Sequence, residues 1–180
     1  NIATLQDLLA EGAESFTATI GSAAGGNFES LVISGTNGAQ TTSITDDDTP
    51  LLSVSSPSVT EGGLAVFTVS LSNPSTTAVV FNPVLASGTA SVGTDTSNTL
   101  EFFNGSAWVA VPVGGVTIPA GSTSVQVRVA TSDDFAAEGD ESFTLTANVT
   151  AGTTANASAT GTATISDDTD ATTVSLSATP

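Results

Sequence analysis

Carboxylates are the side chains of this sequence whose number and spacing could do chemistry. Its 180 residues hold 18 acids against one base, Arg128, with no His and no Cys, for a formal net charge of −17. Sixteen of the 18 fall into runs: Asp7, Glu11 and Glu14; Asp46, Asp47 and Asp48; Glu61; Asp95; Asp133, Asp134, Glu138, Asp140 and Glu141; and Asp167, Asp168 and Asp170. Only Glu29 and Glu101 lie elsewhere. The absence of His removes the commonest general base and metal ligand. The absence of Cys removes disulfides, thiolate zinc sites and a thiol nucleophile. Ser and Thr are abundant but have no base to activate them. Paired carboxylates can hydrolyse glycosides, yet these acids recur in two modules and no aromatic sugar platform accompanies them, so the sequence does not read as an enzyme. A single base cannot neutralise phosphates, which excludes nucleic-acid binding through the backbone. Attraction to an anionic membrane is disfavoured for the same reason, and no stretch approaches the ~18 apolar residues of a membrane span.

The acid runs belong to a repeat. Residues 2–20, "IATLQDLLAEGAESFTATI", align without a gap to 129–147, "VATSDDFAAEGDESFTLTA", at an offset of 127 that sets Glu11 on Glu138. Residues 41–48, "TTSITDDD", match 162–169, "TATISDDT", at an offset of 121 that sets Ile44 on Ile165. The difference is a change of loop length in the Gly-rich stretch 21–40. A period near 120 residues is too long for a solenoid and suits whole β domains joined end to end. The chain divides into the C-terminal part of one repeat (1–48), a complete repeat (49–169) and the first strand of the next (170–180). Asn1 is not a natural start, and the sequence reads as a piece of something longer.

Strand signals run through the complete repeat. Ala65, Phe67, Val69 and Leu71 alternate with polar or smaller residues, as do Val125, Val127 and Val129, and then Phe143, Leu145 and Ala147. This is the pattern of half-buried antiparallel strands. Turn chemistry separates them at Glu61-Gly62-Gly63, Ser72-Asn73-Pro74, Asn104-Gly105 and Pro119-Ala120-Gly121. High charge with abundant Ser, Thr and Gly also marks disordered chains, but the alternation argues for folding. Only Leu5 to Leu9 hints at a helix. Seven or so short strands with regular turns predict an all-β, immunoglobulin-like antiparallel sandwich, with Trp108 and the Phe residues in packing roles. Three Asn-X-Ser/Thr triplets, at Asn104, Asn148 and Asn156, are the chance yield of so Thr/Ser-rich a chain.

Strands of such a sandwich alternate in direction. The turns carrying Glu61, Asp95 and 133–141 and the end carrying 167–168 therefore share one pole. Two unit charges 4 Å apart repel by about 1 kcal/mol in water and about 4 at an effective dielectric of 20. Half a dozen such pairs rival the ~5–15 kcal/mol by which a domain is stable. Arg128 alone cannot offset this, which points to bound cations. An all-oxygen set of flexible loop ligands suits Ca²⁺ better than octahedral Mg²⁺. A solvated acidic surface that keeps the chain soluble is the plainer reading.

The order "TEGG" (60–63), "VGTD" (92–95), "VTIPAGSTSVQVRVATSDDFAAEGDESFTLTA" (116–147) and "ATGTATISDD" (159–168) resembles the Calx-β module. That module occurs in sodium–calcium exchangers and, in tandem, in large bacterial RTX-type surface adhesins. The resemblance covers 51–168, and 1–48 is similar to its C-terminal portion. It implies Ca²⁺ held by Glu61, Asp95, Asp133, Asp134, Glu138, Glu141, Asp167 and Asp168. By internal homology, Asp7, Glu11, Glu14, Asp46 and Asp47 would serve the preceding site. Asp140 and Asp48 stand in the same runs and join the candidates. The sequence departs from the family where Thr96 follows Asp95 in place of an aromatic, and where "NTLEFFNGSAWVAV" lengthens a hairpin. Gln6 stands where Asp133 does and Ala13 where Asp140 does, so the first site is expected to be weaker. The resemblance implies a calcium-rigidified extender of an extracellular, cell-surface adhesin exported by type I secretion. Its partners would be neighbouring repeats or subunits, its adhesive ligand being held by other domains. A self-assembling filament or surface-layer subunit and a calcium-sensing regulatory domain are the alternatives.

Overall fold

The alternating stretches become strands for the reason they alternate: a pleated chain sends successive side chains to opposite faces. The computed structural model describes residues 2–169 and 174–177, and among them every regular element is a strand. Two come first, β1 (Glu14–Thr19) and β2 (Ala39–Ile44), paired only with each other. Ten more follow: β3 (Leu52–Val54), β4 (Ser58–Thr60), β5 (Leu64–Leu71), β6 (Val79–Ser87), β7 (Glu101–Phe103), β8 (Trp108–Ala110), β9 (Val116–Ile118), β10 (Ser124–Ala130), β11 (Glu141–Ala151) and β12 (Ser158–Ser166). They form two five-stranded sheets, ordered β3-β5-β10-β7-β8 and β4-β12-β11-β6-β9. The chain is thus an antiparallel β-sandwich, with one parallel pair, β4 on β12.

The inward residues of both sheets make one core. Phe67, Val69, Val127 and Val129 come from the first sheet, and Phe81, Phe143, Leu145 and Ile165 from the second. Phe67 and Phe143 meet across the interface edge to face, centroids 5.9 Å apart. Each such fully buried side chain contributes about 1.5–3 kcal/mol.

Ten strands stand where about seven were expected, for two reasons. The first strand is split: β3 pairs with β5, the chain crosses at Ser55-Ser56-Pro57, and β4 pairs with β12. Pro57 has no N–H for a ladder but still accepts from Thr164 N–H (2.9 Å). Gly161 of β12 lies under this crossing, where a Cβ would collide with the Ser55 carbonyl and the Val54 side chain. In addition, 101–118 supplies three short strands, β7 and β8 forming the added hairpin. Asn104 shapes its turn, its Oδ1 accepting from the Ser106 and Ala107 N–H groups. Asn156 is likewise structural: its side chain accepts from Leu52 N–H (2.9 Å) and donates to Leu52 O (3.0 Å), as a neighbouring strand would.

Arg128 lies on the outer face of the β10 strand, bonded to Glu101 of β7 through Nε (2.8 Å) and Nη2 (2.7 Å). Its guanidinium sits 4.3 Å from the Trp108 ring centroid. Trp108 is therefore a sheet-surface residue, and the one base is committed away from the acid runs.

The hint of a helix at Leu5 to Leu9 is not realised: this segment is irregular and Leu5 is 98% exposed. Leu5 before and Leu8 and Leu9 after a Gln-Asp pair make too short a stripe to nucleate a helix without a packed face. For the strand expected after the last acid run, residues 174–177 carry no regular structure, and Thr172 lies outside the described residues.

Candidate functional site

The pole of the sandwich is stitched together by main chain before any acid is considered. After β4, Glu61 N–H donates to Ser166 O (3.1 Å) at the end of β12, and Gly62 N–H to Ser132 O (3.0 Å) beyond β10. Ser132 N–H in turn donates to Asp95 O (2.8 Å), in the loop after β6. That loop is folded on itself, Asp95 Oδ2 accepting from Ser91 N–H (2.6 Å). Gly62 has a φ of +69°, and a Cβ there would lie 3.1 Å from Asp133 Cβ. Glycine is what permits both the turn and this approach.

Four acid-bearing segments therefore meet. The Glu61 carboxyl is pushed above the ordinary range, first by desolvation, then by the charges of Asp167, Asp134, Glu138 and Asp168. Glu141 is pushed up by desolvation, then by Asp95, Glu138 and Asp134. Seven predicted ligands, Glu61, Asp95, Asp134, Glu138, Glu141, Asp167 and Asp168, thus act on one another, and Asp133 packs at Gly62. Asp140 is exposed and is not among the acids that act on Glu61 or Glu141; Asp170 lies outside the described residues. Two oxygens, Glu61 Oε2 and Asp167 Oδ1, are buried with no hydrogen-bond partner. A buried oxygen without a donor carries an uncompensated desolvation cost. Among the described residues no three of these acids are gathered closely enough to hold a metal ion as they stand. The acids converge closely enough to raise the Glu61 and Glu141 carboxyls by their charge.

The first acid cluster is built on the same plan. Asp7, Glu11, Glu14, Asp46, Asp47 and Asp48 all line one cleft. Leu9 N–H donates to Asp7 Oδ1 (2.8 Å), and 127 residues on Ala136 N–H donates to Asp134 Oδ1 (2.7 Å). The pairing register repeats too: Glu14 faces Ile44 in the β1–β2 hairpin as Glu141 faces Ile165 between β11 and β12.

The two clusters differ in how their oxygens are occupied. Asp46 Oδ2 accepts from the Glu11 and Gly12 N–H groups, each at 2.9 Å, and Oδ1 from Asp48 N–H (3.2 Å). The bonds from Gly12, Asp48 and Glu11 hold its carboxyl below the ordinary range. Gln6, where the second cluster has Asp133, donates Nε2 to Asp47 Oδ1 (2.9 Å). Repulsion persists: Glu11 is raised by Glu14 first, then by desolvation, Asp7 and Asp46, and Asp48 by desolvation, then Asp47, Asp46 and Asp7. Neutral amides thus partly occupy the first cluster, while the second keeps orphaned oxygens. The Gln6 substitution was the one sequence signal of this difference; the stitching by Ser91 and Ser132 had none, being main-chain contacts of ordinary turn residues.

No protein-family model matches the chain, and no curated protein matches it. Among solved structures, it is similar to the apo-form Calx CBD1 domain, at 20% identity and a TM-score of 0.47, over 66% of this chain and 99% of that one. It is also similar to CBD12 from CALX1.2, at 19% and 0.45, and to the calcium-binding domain CBD12 of CALX1.1, at 21% and 0.47. The chain spans 45% and 44% of the length of those two structures, which cover 64% and 65% of it.

Proposed function

We propose that this chain is a calcium-binding structural extender, a stalk module of an extracellular, cell-surface adhesin whose repeats are stiffened by cations at their acidic poles. The observation that carries this reading is the pair of buried, donorless oxygens, Glu61 Oε2 and Asp167 Oδ1, amid further acids and away from the one base. Asp95, Asp133, Asp134, Glu138, Glu141 and Asp168 would complete an all-oxygen ligand set, which suits a hard divalent ion of flexible coordination. When bound, the ion supplies the counter-charge that the acids lack. Asp7, Glu11, Glu14, Asp46, Asp47 and Asp48 would form the weaker preceding site. Short junctions favour a stalk over a sensor, since only Thr49, Pro50 and Leu51 separate Asp48 from the β3 strand.

Thermal unfolding and small-angle scattering of the full chain test this, metal-free and with 1–10 mM Ca²⁺ or Mg²⁺, a range set by weak extracellular sites. Calcium at a hundred times its Kd adds about 2.7 kcal/mol, a rise in Tm of about 5–10 °C. A straighter, less variable shape should accompany it. Equal Tm values in all three conditions would remove the calcium reading; a rise in Tm without a change of shape would remove the stiffening.

A second reading, a self-assembling filament, is favoured by the β1–β2 hairpin. Phe16 and Ile44, equivalents of the buried Phe143 and Ile165, are only half-buried there. Strands from another chain could cover them, and concentration-dependent polymers in sedimentation would mark that outcome.

A further inference from the structure

Ala10 is where the first unit meets the sandwich. Its N–H donates to Pro74 O (3.0 Å), and its carbonyl accepts from Thr76 N–H (2.9 Å), Thr76 Oγ1 (3.1 Å) and Ser75 Oγ (3.4 Å). Ala10 and Ser75 form a parallel β-bridge and are 8% and 4% exposed. Asn73 Nδ2 adds a bond to the Asp48 carbonyl (2.6 Å). On the side of the first unit every bonding atom is main chain, so the contact depends on no carboxylate and no ion.

The repeat places Ala137 where Ala10 stands, 127 residues on. The local setting is the same: Asp-Leu-Leu-Ala-Glu-Gly at 7–12, Asp-Phe-Ala-Ala-Glu-Gly at 134–139, each shaped by its Asp accepting from the N–H two residues later. The surroundings are opposite. Ala10 is buried in the bridge, whereas Ala137 is exposed; Leu8 and its equivalent Phe135 are exposed in both places.

We infer that residues 135–138 form a docking edge for the Asn73–Thr77 loop of a following sandwich of this same sequence. Each repeat then carries a plug beside its acidic pole and a socket at the opposite end. This rests on the tandem arrangement proposed above, but not on calcium. The main chain sets the register of the joint, and an ion would add stiffness to a joint already in register.

The test reads amide hydrogen exchange in EDTA, first in the full chain, then in the full chain continued at Pro180 by a second copy of residues 58–180. In the full chain Ala10 N–H should exchange about thirty-fold more slowly than an open amide, the protection of about two backbone bonds, and Ala137 N–H at the open rate. In the continued chain Ala137 should slow to match Ala10. Thr76→Pro in the second copy alone removes the donated N–H and should return Ala137 to the open rate while Ala10 stays slow. Asn73→Ala in that copy is the milder variant, expected to give part of the effect, and the Phe143 amides of both copies report that each sandwich is folded. An open Ala10 in the full chain, or an Ala137 that stays open in the continued chain, overturns the inference. Failure of the calcium reading would show differently: both alanines protected, with no response of Tm or shape to calcium.

Discussion

The β1–β2 hairpin and the β11–β12 pair are two copies of one local design in different company. Their register and Asx-shaped loops correspond residue for residue, and most of their acids do so, with Gln6 and Ala13 standing for Asp133 and Asp140. Phe143 nonetheless lies fully buried against Phe67, while Phe16 faces no second sheet among the described residues and is half-exposed. Ala10 is buried and Ala137 is not. The acid loops diverge likewise, one quieted by Gln6 and backbone amides, the other left with orphaned oxygens. Local sequence specifies the hairpin; neighbours decide its burial and its charge balance.

The comparison can be broken most forcefully in the core. Phe143→Ala should cost about 3–5 kcal/mol in urea unfolding, Phe16→Ala under about 1 kcal/mol. Equal costs would mean that the first hairpin is packed as the second is. Next comes the crossing under Ser55. Gly161→Ala should cost about 1–3 kcal/mol by overpacking, whereas Gln40→Ala, at the equivalent place in β2, should stay within about 0.5 kcal/mol.

Smaller effects sharpen the contrast between the acid loops. Gln6→Asp makes the first loop resemble the second; the metal-free protein should lose about 1 kcal/mol with the amide bond, and its gain in Tm from calcium should grow. Glu61→Gln should do the reverse at the second loop, raising the metal-free Tm and shrinking the calcium response, because it removes a charge that burial and four neighbours oppose. Arg128→Met should cost about 1 kcal/mol through Glu101 and Trp108 and leave the calcium response unchanged, because it acts on the outer face.

The smallest effect is that of pH. Glu11, Asp48, Glu61 and Glu141 have raised carboxyls, so the folded state binds protons before the unfolded state does. Metal-free stability should therefore increase as pH falls from neutral to the ordinary carboxylate values of 4.5 for Glu and 3.8 for Asp. Asp46 is lowered and acts oppositely, its contribution lost only as pH falls below 3.8. Thermal melts between pH 7 and 4.5 in EDTA check this, and a Tm that falls over that range would contradict it.

Much of this was legible in the residues. Alternation placed Ala65 to Leu71 and Phe143 to Ala147 on inward faces, and the offsets of 127 and 121 that align the repeats agree with the register the two hairpins share. The split first strand was not legible, because residues 51–60 alternate Leu and Val with Ser on either side of Pro57 and only packing decides which sheet each half joins. The partial helix signal at Leu5 to Leu9 failed for want of a face to pack on. Among the acids, clustering was readable from the turns. Occupancy was not: whether an oxygen meets an amide or nothing depends on the path of the backbone, as at Asp46 and Asp167.

The split first strand also decides how the sandwich carries load. The chain enters through β3 and β4 and leaves through β12, and β4 runs parallel to β12 with Ser58, Val59 and Thr60 beside Thr164, Ile165 and Ser166. A pull on the two ends therefore slides these strands past one another. Their hydrogen bonds are strained together, in shear, instead of opening in turn like a zip. The hairpin turns stay outside the line of force between β4 and β12.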